Sequence, residues 1–131
     1  MKTTYKIFLI LVCTLMLSAS VFASGPISSK SIANLAVIEN NLMNGLKSDN
    51  FGLRMSSAYY LGEYKTEKAV LPLIKMLHSE KEESARIQAA LSLIKIGNAK
   101  GIFMVKQAAK FDESQRVRNL CNKFYNASQK I

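Results

Sequence analysis

The chain repeats itself. Slid along itself by 32 positions it matches without a gap, and Arg54, Arg86 and Arg118 fall into line. Leu53, Ala85 and Val117 stand just before those arginines, and Leu61, Leu93 and Tyr125 stand seven places after them. Ser57, Ala89 and Cys121 share one small-residue position, while Val70 meets Ile102 and Leu73 meets Val105. A fixed period of this length is the signature of stacked supersecondary units, none of which can bury its apolar face alone. Few other architectures are compatible with it.

Each unit reads as two helices. Val70, Leu73, Ile74 and Leu77 fall at i, i+3, i+4 and i+7, one face of a 3.6-residue helix, with Pro72 near its start where a missing N–H costs least. Ala85, Ala89, Leu93 and Ile96 keep the same rhythm, and Gly97-Asn98 supplies a stop. No stretch alternates with period two, so the fold class is all-α: three helical hairpins stacked as a short solenoid.

Leu61-Gly62-Glu63-Tyr64, followed by Lys68-Ala69-Val70-Leu71-Pro72-Leu73-Ile74, resembles the HEAT-like repeat of the phycobilisome-lyase type, and Leu93 to Lys100 repeats the pattern. The likeness is close over residues 46–110 and looser outside them. It implies a right-handed solenoid whose second helices line an inner face, and a binding scaffold in place of a catalyst. Lyase-like handling of a pigment would rest on family analogy alone. The third unit departs from the pattern, with Asn122 at the position of Ala58 and Ala90, and Lys106 at that of Ile74. An end unit has one face without a neighbour, and polarity there keeps it soluble. At the other end Asn34, Glu39, Asn40, Asn41 and Asn44 surround Leu35, Ile38, Leu42 and Leu46, so that end also reads as capped.

Ahead of the repeat lies a segment of another kind. Lys2 and Lys6 precede the apolar run Ile7–Leu17, and Val21-Phe22-Ala23 fits a signal-peptidase site, which predicts a signal peptide over residues 1–23. A run of eleven residues, interrupted by Thr14, is too short for a membrane span, which needs about 20 apolar residues. A lipoprotein cut at Cys13 is disfavoured, because Val12 stands where a small residue is wanted. The predicted organisation is thus a signal peptide, a flexible lead-in over 24–30 and a three-unit repeat domain over 31–131. Export to the periplasm or beyond is the resulting expectation, with no membrane span in the mature chain. That chain keeps one cysteine, Cys121, so its stability must come from packing and not from a disulfide.

The inventory of reactive groups is thin, and neither an enzyme nor a cofactor or metal site is expected. His78, the one histidine, sits at a helix end where it can face the last carbonyls. Cys121 takes a core position as a packing thiol. Acids at Glu80, Glu82, Glu83, Asp112 and Glu113 suit the starts of second helices. The arginine row reads as structural, with stems packed between units and heads on linker carbonyls or acids.

Two features point to binding. Met55, Tyr59, Ile87 and Leu91 fall opposite the core stripe of their helices at equivalent positions of consecutive units. They form a short apolar strip, which either meets a partner or is partly covered by neighbouring second helices. Charge is the second feature. Without Lys2 and Lys6 the formal net charge falls from +9 to +7, and residues 95–131 hold +6 of it, including Lys106, Lys110 and Lys123. The favoured reading is a scaffold for an unidentified protein or peptide. The alternative is a cationic binder of anionic surfaces such as lipid head groups, acidic glycans or nucleic acid. Phe124 and Tyr125 alone are too few aromatics to argue for nucleic acid.

Overall fold

The computed structural model describes residues 29–130, so the segment expected to be a signal peptide lies outside the described residues. Contacts divide the chain into residues 1–34 and 35–131, and the packing described below is that of Leu35 onward. All regular structure among the described residues is helical: α1 (Ser29–Gly45), α2 (Phe51–Glu63), a 3₁₀ turn (Glu67–Ala69) running into α3 (Val70–Ser79), α4 (Glu83–Ile96), α5 (Ala99–Phe111) and α6 (Gln115–Ser128). Successive pairs make hairpins: α3 packs along α4 and α5 along α6, whereas α1 meets α2 near its own end, where Gly45 faces Ser57. The first helices α3 and α5 pack on one another, as do the second helices α2, α4 and α6 in sequence.

Polar side chains set the boundaries. Asn50 Oδ1 accepts from the Leu53 amide at 3.0 Å, Asn98 Oδ1 from the Lys100 amide at 3.0 Å, and Ser114 Oγ from the Val117 amide at 3.4 Å. Each cap answers one of the orphan N–H groups of a first turn and is worth ~1 kcal/mol. The helix α4 ends on Gly97 at φ 79°, a left-handed residue whose amide donates to the Leu93 carbonyl.

The core follows the expected stripe. Leu61, Leu73, Leu77, Leu93, Val105, Val117 and Cys121 are fully buried, and Ala58, Ala85, Ala89 and Ala90 fill the gaps between helices. Small residues fix how closely the layers approach. A Cβ on Gly62 would lie 2.8 Å from Ser92 Cα, so α2 and α4 touch backbone to backbone there. Beside that contact the Ser92 hydroxyl donates to the Ala58 carbonyl at 2.7 Å and accepts from the Gln88 amide at 3.2 Å.

The third hairpin handles its departures locally. Lys106 sits where α3 has Ile74, and its Nζ lies 5.2 Å from the ring of Tyr125, which replaces Leu61 and Leu93. An apolar pair has become a cation–π pair. Asn122 is exposed, and its Oδ1 accepts from Asn126 at 3.5 Å. The first hairpin differs from expectation: Leu42 and Leu46 pack on the core, but Leu35 and Ile38 are exposed. Apolar packing of α1 on the core begins at Leu42, one turn after Glu39 accepts from the Thr66 hydroxyl at 3.0 Å. Leu53 is half exposed, whereas its equivalents Ala85 and Val117 are buried.

Candidate interaction faces

The arginine row is a ladder that ties each hairpin to the next. Arg54 Nε donates to Glu80 Oε1 at 2.7 Å, and its Nη1 to the carbonyls of Ser48 and Asp49 at 2.9 and 3.1 Å. Arg86 repeats this one unit later: Nε and Nη2 donate to the two oxygens of Asp112, both at 3.0 Å, and Nη1 to the carbonyls of Glu80 and Lys81. Each guanidinium thus clamps its own linker and reaches the linker carboxylate of the following hairpin. The planar fork of arginine suits it to this double task where lysine would not serve. Arg118 makes the linker half of the pattern, donating to the Asp112 and Glu113 carbonyls, and turns its Nη2 to Gln115 Oε1 at 2.6 Å. The ladder is therefore part of the frame, and Cys121 lies beneath it, where burial pushes the thiol up to about 11.

The expected site residues divide between two sides of the stack. Met55, Tyr59, Ile87, Leu91 and Lys123 belong to the second helices, and the 32-residue shift puts Tyr59, Leu91 and Lys123 on one row. Met55 and Ile87 lie half buried against the core, Leu91 is half buried, and Tyr59 is 42% exposed. Neighbouring helices cover part of the apolar strip, and its open element is the Tyr59 ring. That ring is framed by an interunit ion pair: Lys95 Nζ lies 5.0 Å from its centroid and donates to Glu63 Oε1. The hydrogen bond from Lys95 holds the Glu63 carboxyl below its ordinary range. Tyr60 meets Tyr59 edge to face at 5.2 Å, and Tyr64 stacks on Tyr60 at 6.4 Å, which extends the aromatic surface toward the end of α2. Lys106 and Lys110 stand apart from this surface on α5, the first half buried over Tyr125 and the second exposed.

Sequence reasoning missed three apolar side chains that project from the first helices of the second and third hairpins. Leu71 is 61% exposed on α3, Phe103 55% on α5, and Phe111 75% at the end of α5. A signal was present: Leu71 and Phe103 are 32 residues apart and both fall off the stripe of Val70, Leu73, Ile74 and Leu77. Beside Leu71, a groove of about 590 Å³ runs between α3 and the first linker, lined by Leu46, Leu71, Pro72 and Met76 with Lys47 and Lys75 among the lining residues.

Stacked hairpins joined by a regular ladder define an α-helical repeat protein, a class that works through extended surfaces and not through an enclosed pocket. Within that class the chain belongs to the HEAT repeat family, whose pattern matches residues 39–122, from within α1 to within α6. A search of curated proteins finds none that matches the chain significantly. Among the described residues no helix is long and apolar enough to cross a membrane.

Proposed function

We propose that this is an exported, non-catalytic scaffold that binds a protein or peptide on the surface made by its second helices. In this reading α2, α4 and α6 line the inner face of a right-handed solenoid, and the likeness to repeats of the phycobilisome-lyase type is one of architecture. The observation that carries the proposal is the Tyr59 ring: open to solvent, backed by the half-buried Met55, Ile87 and Leu91, and bordered by the Glu63–Lys95 pair. An amphipathic ring with apolar support and paired charges at its edge is the composition of an interface centre. Export is supported by the basic, apolar and small-residue order of residues 1–23.

A photo-crosslinking side chain placed at Tyr59 in the cell tests the surface. A polypeptide adduct formed from position 59, and absent from the exposed linker position Lys81, is the expected result. Equal labelling from both positions, or none from position 59, would remove the proposal's footing. N-terminal sequencing of the isolated protein tests export, with Ser24 expected first; a chain beginning at Met1 would contradict it.

A further inference from the structure

The first helices carry a second surface of different chemistry. On α3 the outward arc holds Leu71 between Lys75 and His78, with Lys68 immediately before the helix, and all four are exposed. On α5 the same arc holds Phe103 between Lys100 and Lys110, with Phe111 at the helix end, again all exposed. The two arcs are in register: Lys68 corresponds to Lys100 and Leu71 to Phe103 through the 32-residue shift, and α3 packs beside α5. Glu67 on this arc accepts a hydrogen bond from the Asn98 side chain at 3.2 Å, and the carboxylates of Glu80, Asp112 and Glu113 stand at its far end, where they share a groove with His78 and Phe111. The result is a basic face from which large apolar side chains project singly among lysines. None of these lysines has a carboxylate partner among the described residues.

We propose that this α3–α5 face docks on an anionic lipid bilayer. Charge complementarity and side-chain placement together favour that occupant. Lysines along one face attract anionic head groups, and their flexible stems let the ammonium stay at head-group level while neighbouring side chains sink. Leu71, Phe103 and Phe111 then enter the boundary between head groups and acyl chains, where an interfacial helix places its apolar residues. A nucleic acid would engage the lysines and leave three apolar side chains unused. The surface is separate from that around Tyr59, so the peptide-binding reading and this one stand or fall independently.

Vesicle flotation of the full chain tests the proposal, using phosphatidylglycerol-containing and pure phosphatidylcholine vesicles at low and high salt. Every variant keeps the same N-terminal segment, so differences among them report on the face. Binding to the anionic vesicles at low salt is expected, and it weakens at high salt. Lys100→Gln with Lys110→Gln is expected to reduce it by roughly five-fold per lysine. Leu71→Ser, Phe103→Ser and Phe111→Ser together are expected to weaken it by roughly ten-fold for each side chain that inserts, with melting unchanged because all three are exposed. Anionic-vesicle binding unaltered in both variants would overturn the proposal. Heparin binding as tight as vesicle binding, and retained by the serine triple, would mark a plain charged patch and overturn it as well.

Discussion

Two buried serines on neighbouring second helices offer a test of sign and not only of size. Ser57 is 1% exposed on α2, and its hydroxyl has no hydrogen-bond partner among the described residues. A Cβ on Gly45 would lie 2.1 Å from Ser57 Oγ, so the end of α1 approaches this hydroxyl closely. A buried hydroxyl without a partner costs roughly 1–3 kcal/mol. Alanine, which the next unit carries at this position as Ala89, removes that cost and adds about 0.5 kcal/mol of helix propensity. Ser57→Ala is therefore expected to stabilise the protein by about 1–3 kcal/mol, the opposite of the usual sign for a core truncation. For a domain of this size each kcal/mol moves Tm by about 4–8 °C, so a rise of roughly 5–20 °C is expected. Ser92 is the control. It is equally buried, but it donates to the Ala58 carbonyl and accepts from Gln88, so Ser92→Ala forfeits ~1 kcal/mol of bonding and recovers only part of it through propensity. Thermal melts by circular dichroism, with urea midpoints as a second measure, read both. If Ser57→Ala melts at or below the parent temperature, or both serines shift Tm in the same direction, the reasoning from unsatisfied polarity is refuted.

Leu93→Ala should cost ~2–5 kcal/mol, since Leu93 is fully buried and would leave a cavity against Gly101; a urea midpoint near that of the parent would contradict the assigned packing. The ladder's rungs should differ: Arg86→Leu strands a nearly buried Asp112 and should cost about 3–5 kcal/mol, whereas Arg118→Leu, with no carboxylate to strand, should cost ~1 kcal/mol by the same melts. Cys121 should resist alkylation in the folded chain at pH 8 and react on unfolding, which mass spectrometry reads directly. Its raised folded value means that the folded state holds the proton more tightly than the unfolded one. Stability from this group is thus present below the ordinary thiol value of 9.0 and is lost as pH rises toward about 11, visible as a falling Tm across that window.

The register of the fold was legible because every unit repeats its landmarks. Arg54, Arg86 and Arg118 set the 32-residue register, and Gly97-Asn98 marked where α4 ends and α5 is capped. Burial along the candidate strip was not legible. It depends on how near α2 approaches α4, and that distance is set by Gly62 against Ser92, a contact between backbones that no side-chain period encodes. The exposure of Leu35 and Ile38 escaped for a related reason, because a helical period tells which face is apolar but not how far along α1 a neighbour extends. Leu71 and Phe103 were visible as off-stripe positions, yet a single projecting side chain carries meaning only when the adjacent helix repeats it.

The ladder also gives the array a grammar. Each complete rung joins an arginine to the linker acid 26 residues on, Arg54 to Glu80 and Arg86 to Asp112, and that acid in turn stands six residues ahead of the next arginine. Sender and receiver therefore travel together in one 32-residue cassette. A gene duplication that copied such a cassette in frame would splice into the row with no rung left broken, wherever between the linkers it landed. A cut out of register would instead leave one guanidinium facing no carboxylate. Growth and loss by whole hairpins are thus the changes in length that this architecture tolerates, while insertions within a hairpin are confined to what its linkers can absorb.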